Sequence, residues 1–234
     1  MNRRAWGPHG RALVDHLEGR RPAAVRVIGE DGETETVEAE VFFRGPDEFS
    51  ALEEAALALC HGRVLDAGAG AGSHALVLQE RGLEVVAIDA VPAAVEVMRR
   101  RGVRDARCAD VFAFREAPFD TLLLLMNGIG IVETLPGLRH FLRQVPRLLR
   151  PGGQILCDSY DPGPPPPGTA RDRYAGEMRF RLEYGGQRGP FYGWLFLDFD
   201  RLAAEAAPLG YTCEEIWQEA EGHYLARLRR AGNT

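Results

Sequence analysis

The segment VLDAGAGAG, residues 64–72, constrains the fold of this chain more than any other. A short apolar run reaches Asp66 and is followed by glycines at alternate positions. Such a run is typical of a strand that turns through glycines into a helix, where a ligand can approach backbone N–H groups closely. A second apolar run, VVAI, ends at Asp89, and an acid at the tip of the next strand suits a ribose diol. Together the two segments predict a site for an adenosine-containing cofactor.

The order of elements between residues 63 and 158 predicts the fold class. Continuous apolar runs alternate there with helical segments, which is typical of a parallel sheet covered by helices on both faces. Two further strands are predicted at residues 211–218 and 223–229, and a two-residue turn at Glu221 and Gly222 makes that pair antiparallel. We therefore predict an α/β protein with a doubly wound, mostly parallel sheet.

Segments outside this alternation predict a cap over the sheet. A helix is expected over residues 5–17, a hairpin over 23–43 and a second hairpin over 178–198. Pro46 and Asp47 predict the start of a helix that runs to about residue 60. We accordingly divide the chain into a cap at residues 1–62 and a core at 63–234, in which residues 159–198, proline-rich at 161–168, form an insertion near the substrate mouth.

Composition excludes several classes of function. The formal net charge is −6, so the overall field does not attract nucleic acid. The chain contains no lysine, which excludes a Schiff base and a phosphate-loop lysine. The cysteines form no CxxC pair, so we expect no metal site. No long apolar run or apolar signal core is present, and we expect a cytoplasmic protein without membrane contact, whose oligomeric state the sequence leaves open.

The glycine spacing distinguishes between adenosine cofactors. Gly68 and Gly70 fit the dinucleotide pattern G-x-G-x-x-G, but Ser73 stands where its third glycine belongs. Asp66, just before the glycines, is poorly placed for a pyrophosphate and better placed near an ammonium group. The asymmetry favours a cofactor that carries an amino acid.

Several motifs in order resemble those of one enzyme family. VLDAGAGAG, AIDA, the DVF that begins at Asp110, FDTLLLLMNG and LLRPGG follow one another as in class I S-adenosylmethionine-dependent methyltransferases, over residues 63–158. The resemblance implies a seven-stranded Rossmann-like sheet in the order 3-2-1-4-5-7-6. It also implies S-adenosylmethionine as methyl donor and S-adenosylhomocysteine as product.

The resemblance further implies a role for each matched position. One group of residues lines the methionine end of the cofactor, a second binds ribose and adenine, and a third lies near the sulfonium. The groups are, in that order, Asp66, Gly68, Ala69, Gly70, Ser73 and His74; Asp89, Ala90, Asp110 and Val111; and Met126 and Asn127. Arg44 is a further candidate for the cofactor carboxylate, although it also suits a solvated surface position.

The sequence carries no sharp catalytic signature. A sulfonium is already activated, so the protein contributes alignment and desolvation, and a base only for a protonated acceptor. Weak candidates are Asn127, Asp158 and Tyr160. The run from Asn127 to Gly130 departs from the [NDS]-P-P-[YF] motif of amino methyltransferases for nucleic acid, and we predict a small-molecule acceptor. Aromatic residues in the added segments, either packed in the core or clamping a flat acceptor, are Trp6, Phe42, Phe43, Tyr174, Phe191, Tyr192 and Trp194.

Two other functions stay open at this point. One is a non-catalytic module that binds S-adenosylmethionine or S-adenosylhomocysteine and regulates a partner. The other is a nicotinamide-dependent oxidoreductase, against which the missing third glycine and the LLRPGG segment count.

Overall fold

The computed structural model of the protein describes residues 3–116, 118–164, 173–219 and 222–231. Within these ranges no helix is long and apolar enough to cross a bilayer. The helices are α1 (Gly7–Leu17), α2 (Ala51–Leu59), α3 (Ser73–Glu80), α4 (Pro92–Arg101), α5 (Leu135–Gln144) and α6 (Phe199–Ala206). The strands are β1 (Ala24–Gly29), β2 (Thr34–Glu38), β3 (Arg63–Ala67), β4 (Glu84–Asp89), β5 (Ala106–Cys108), β6 (Phe119–Leu124), β7 (Leu149–Tyr160), β8 (Glu177–Tyr184), β9 (Gln187–Arg188), β10 (Tyr192–Leu195), β11 (Tyr211–Gln218) and β12 (His223–Arg230).

The larger sheet has seven strands in the order β11-β12-β7-β6-β3-β4-β5. Its strands from β5 through β7 run parallel, and β12 joins antiparallel to both β7 and β11. Leu65 and Leu122 of the central strands are fully buried, as expected where helices cover both faces. The predicted fold class and strand order are confirmed. The antiparallel last pair is present, while Glu221 of its predicted turn lies outside the described residues.

The two predicted hairpins form one five-stranded cap sheet, in which β10, β8, β1 and β2 are neighbours and β9 pairs with β8. Strand β1 pairs antiparallel with β2 on one side and with β8 on the other, where Val27 lies opposite Leu182. The sequence pattern did not predict this union, because the two segments are separated by the whole central part of the larger sheet. The cap sheet therefore brings distant parts of the chain together.

Helix α1 packs closely on α4 and links the cap to the larger sheet. A Cβ atom on Gly10 would lie 2.7 Å from Cγ1 of Val91, so a larger residue would separate the helices. The half-buried Arg101, at the end of α4, donates to the carbonyl oxygens of Ala71 at 2.8 Å and Phe43 at 3.1 Å. These contacts fix the chain after β2 against the glycine turn.

The helix predicted to begin at Pro46 was placed too early. Residues 46–48 form a short 3-10 turn, and α2 begins only at Ala51. Ser50 caps this helix because its hydroxyl accepts from the backbone N–H of Glu53 at 3.2 Å, while the Glu53 carboxylate accepts from the N–H of Ser50. Of the proline-rich segment, residues 165–168 lie outside the described part of the chain.

Candidate active site

The turn between β3 and α3 exposes backbone at the carboxyl edge of the larger sheet. Gly68 has φ 80° and Gly70 has φ 55°, a left-handed conformation that favours glycine. A Cβ atom on Gly68 would meet nothing within 4 Å, and one on Gly70 would meet only the Phe42 ring at 4.0 Å. The turn therefore leaves room for a ligand to lie against its backbone.

Two acids flank this turn. Asp89, at the end of β4, accepts from the N–H of Val91 at 2.8 Å and from that of Gly70 at 3.0 Å. Asp66, at the end of β3, is 3% exposed, and its Oδ2 atom has no hydrogen-bond partner. Burial raises the pKa of each carboxyl to about 6. A buried oxygen without a partner next to an open turn fits a ligand that brings donors, such as an ammonium group.

His74, in the first turn of α3, belongs to a buried ionic network. Its Nε2 atom lies 2.8 Å from Oε1 of Glu53. Arg44 donates to both oxygens of the same carboxylate, at 2.8 and 2.9 Å. Burial acts to raise the pKa of Glu53, but hydrogen bonds and the charges of His74 and Arg44 outweigh it and lower the pKa to about 2. Glu53, which the sequence did not single out, thus links two predicted site residues.

The carboxyl end of β6 has an unusual backbone. Met126 has φ 61° and Asn127 has φ 56°, and non-glycine residues rarely adopt such angles. Burial raises the pKa of Asp158 of β7 to about 6, although the backbone N–H groups of Asn127 and Gly128 act to lower it, and its Oδ1 atom has no hydrogen-bond partner. Since backbone strain clusters at functional sites, this turn is a candidate for contact with a reacting group.

One cavity joins these features. The volume that the centres of water molecules can occupy inside it is about 230 Å³. That is more than ten times the ~10–15 Å³ that one water needs, so it is a ligand chamber and not a packing defect. The predicted site residues on its lining are Asp66, Gly68, Ala69, Gly70, Ser73, His74, Asp89 and Met126. Those that do not line it are Arg44, Ala90, Asp110, Val111, Asn127, Asp158 and Tyr160.

The predicted residues off the lining have other surroundings. Asp110 accepts from the N–H of Phe112 at 3.0 Å, and Val111 and Ala90 are buried. The ring of Tyr160 stacks on His223, with 5.0 Å between centroids. For Arg44, the structure gives a carboxylate partner within the protein, Glu53, in place of a solvated position.

The cap closes the opposite side of the cavity. Phe42, Tyr192 and Trp194 line it, as the aromatic content of the added segments suggested, and Trp6 joins them from the start of α1. His9 lines it as well and was missed in the sequence. Its spacing of three residues from Trp6, which precedes the first turn of α1, is the signal that could have identified it.

Comparison with known proteins agrees with this geometry. Residues 65–157 match the family model described as a methyltransferase domain. A solved S-adenosylmethionine-dependent methyltransferase from Bacteroides fragilis, in complex with S-adenosyl-L-homocysteine, is 41% identical, with a TM-score of 0.89. The alignment covers 97% of this chain and 96% of that one.

Curated relatives match a shorter part of the chain. A demethylmenaquinone methyltransferase from Clavibacter sepedonicus is 34% identical over 110 residues, which are 44% of this chain and 43% of that protein. A ubiquinone biosynthesis O-methyltransferase from Xylella fastidiosa is 31% identical over 111 residues, 44% of each. The match thus spans less than half the length of either relative, and the full-length match to the solved structure carries the assignment. On its glycine turn, its sheet and that similarity, the chain belongs to the class I S-adenosylmethionine-dependent methyltransferases.

Proposed function

We propose that this protein transfers a methyl group from S-adenosylmethionine to a small-molecule acceptor. The observation that carries the proposal is the cavity that is lined on one side by the glycine turn and on the other by the cap. A cofactor on the first side and an acceptor on the second would share one water-poor space, as an in-line displacement requires. The named activities of the solved and curated relatives support the same reaction class.

The residues of the turn fit this cofactor. The unpartnered Oδ2 of Asp66 would accept from its ammonium group, and the open backbone of Gly68 and Gly70 would lie along the methionine portion. Asp89 would accept from the ribose hydroxyls, because its carboxylate is held at the end of β4 by two backbone donors. The remaining predicted contacts are Ala69, Ser73 and His74 at the methionine end, Ala90, Asp110 and Val111 at the adenine, and Met126 and Asn127 near the sulfur.

The chain's own contribution to the reaction is alignment. When bound, the cofactor supplies a methyl group on a positively charged sulfur. We assign Asp158 a positioning role, because the backbone N–H groups of Asn127 and Gly128 act on its buried carboxylate, which does not line the cavity. Arg44 would act indirectly, by holding Glu53 against His74.

Calorimetric titration with S-adenosylhomocysteine tests the cofactor half of the proposal. The wild-type protein should bind it, and Asp89→Asn should weaken binding about tenfold or more, since it replaces an ionised acceptor. Asp105→Asn is a matched control, because Asp105 pairs with Arg107 on the surface and does not line the cavity. Thermal stabilisation by NAD(P) and not by S-adenosylhomocysteine would favour the oxidoreductase and contradict the proposal.

Measurement of turnover tests the second half of the proposal, the transfer of the methyl group to an acceptor. Incubation with S-adenosylmethionine and a broad panel of small acceptors should release S-adenosylhomocysteine, detected by mass spectrometry. Tight cofactor binding without release on any acceptor would instead favour the non-catalytic regulatory module.

A further inference from the structure

The half of the cavity formed by the cap differs chemically from the half formed by the glycine turn. The ring centroid of Trp6 lies 4.8 Å from that of Tyr192 and 5.3 Å from that of Trp194, so three rings from two segments form one surface. Leu182 of β8 and Val25 of β1 extend this surface with aliphatic groups. The rings are tilted against one another, by 45° for Trp6 and Tyr192 and by 52° for Trp6 and Trp194, and this aromatic and aliphatic surface favours an apolar, aromatic ligand.

The described residues of this aromatic and aliphatic surface include no cationic side chain. None of the described residues that line the cavity is an arginine, and the chain contains no lysine. The lining carboxylates, Asp66 and Asp89, belong to the glycine-turn side. An acceptor that carries a carboxylate or phosphate would lose its hydration here without gaining a cationic partner, which disfavours that class.

His9 is the titratable imidazole that the cap adds to the cavity. Its ring meets Trp6 edge-on at 5.6 Å and Phe42 edge-on at 4.7 Å, and these two rings fix its plane. The residue is 9% exposed, and burial lowers its pKa to about 4. At neutral pH the ring is therefore uncharged, with one nitrogen that donates a hydrogen bond and one that accepts.

We propose that the cap half of the cavity takes a neutral, planar aromatic alcohol whose hydroxyl donates a hydrogen bond to His9. This inference rests on the proposed function, since the methyl donor must occupy the glycine-turn half. It adds to that function the class of the acceptor and a catalytic residue that contacts it. The aromatic wall positions the ring of the acceptor, and His9 selects the hydroxyl.

His9 also accepts the proton that the acceptor hydroxyl loses in the reaction. The acceptor oxygen forms a bond to the methyl carbon as the carbon–sulfur bond breaks, and the electron pair of that bond stays on sulfur. The hydroxyl becomes strongly acidic as it is alkylated, so even a weakly basic imidazole takes its proton. One positive charge leaves the sulfur and one arrives on His9, so the total charge of the cavity is unchanged. Solvent then takes the proton from the imidazole.

Three probes that share one ring system test the recognition step. Protein saturated with S-adenosylhomocysteine is titrated calorimetrically with 2-naphthol, 2-methoxynaphthalene and 2-naphthoate. We expect 2-naphthol to bind about tenfold tighter than the methyl ether, which lacks the donor, and the carboxylate to bind weakest. The ether is also the product of methylation, so its lower affinity suits release.

Variants of His9 separate recognition from folding. His9→Phe should equalise the affinities of 2-naphthol and its methyl ether, because it retains an aromatic ring and lacks an acceptor. His9→Gln should restore part of the preference through its amide oxygen. His140→Phe is the control, because His140 stacks on Phe112 and is absent from the lining. All three variants should bind S-adenosylhomocysteine as the wild type does.

Four outcomes would overturn the inference. They are tighter binding of 2-naphthoate than of 2-naphthol, no binding of any naphthalene by a protein that binds S-adenosylhomocysteine, an unchanged hydroxyl preference in His9→Phe, and loss of S-adenosylhomocysteine affinity in that variant, which would assign His9 to the cofactor. A wild-type protein that fails to bind S-adenosylhomocysteine would instead contradict the proposed function, so the two failures are distinguishable.

Discussion

The larger sheet and the cap sheet are built on different principles. In the larger sheet, the central parallel strands contain apolar runs buried on both faces, and Leu122 and Leu123 are both 0% exposed. In the cap sheet, β2 is almost wholly exposed, and β8 has only one buried residue, Leu182. The first sheet is stabilised by its own core, whereas the second is stabilised by pairing between its strands and by packing against the helix that it covers. The larger sheet therefore provides stability, and the cap provides a wall for the ligand.

The largest expected effect compares one leucine from each sheet. Leu122→Ala should lower the free energy of unfolding by about 3–5 kcal/mol, because the fully buried strand cannot collapse around the missing atoms. Leu182 lines a cavity that is already present, so Leu182→Ala should lower the free energy of unfolding less, by about 2 kcal/mol. Urea denaturation of both variants measures the difference. Equal losses would contradict the distinction between a core sheet and a wall.

A smaller effect is expected where the two regions meet. Arg101→Gln should lower the free energy of unfolding by about 1–3 kcal/mol, since the carbonyl oxygens of Ala71 and Phe43 lose a charged donor. Arg100→Gln is the matched control on the same helix turn, because its partner Glu18 lies at the surface, and its effect should stay under about 1 kcal/mol. Thermal denaturation with and without S-adenosylhomocysteine compares them. A larger effect from Arg100 would mean that Arg101 does not anchor the cap.

A further effect, of similar size in free energy, concerns the ionisation of the site. Burial raises the pKa of Asp89 in the free protein to about 6, and only the ionised form accepts from both ribose hydroxyls. Affinity for S-adenosylhomocysteine should thus be nearly constant above about pH 7 and fall as pH decreases below it, by about tenfold at pH 5 for each group that must lose a proton. Burial also raises the pKa of Asp66 to about 6, so the protonation of Asp66 makes the fall in affinity with decreasing pH steeper.

Titration calorimetry between pH 5 and 8 measures this dependence. Asp89→Asn removes one ionising group, so its affinity should be lower than that of the wild type at pH 8, should approach it near pH 5, and should vary less steeply with pH. An Asn variant with the wild-type slope would mean that Asp89 is already ionised at pH 5. The cap contributes nothing to this dependence in that range, because the pKa of His9 is lowered to about 4.

The glycine-turn side of the cavity could be predicted from the sequence better than the cap side. Gly68, Gly70 and Asp89, which line the cavity, could be predicted from spacing, because a strand, its turn and its helix are contiguous and their geometry is local. The helix predicted from Pro46 was wrong because the Ser50 cap with Glu53 three residues later is the stronger signal. Arg101, near the end of α4, turns inward to backbone carbonyls that no local pattern identifies.

The sequence by itself predicted the fold class and the place of the glycine turn, and the family resemblance implied the strand order. Apolar periodicity and turn residues act over short distances, and the family motifs occur in one continuous stretch, residues 63–158. Only the tertiary structure decided that β1 pairs with β8, that Glu53 joins Arg44 to His74, and that His9 lies among Trp6 and Phe42 at the cavity. These contacts join residues that are remote along the chain or buried by other segments, and their energy depends on how the whole chain packs.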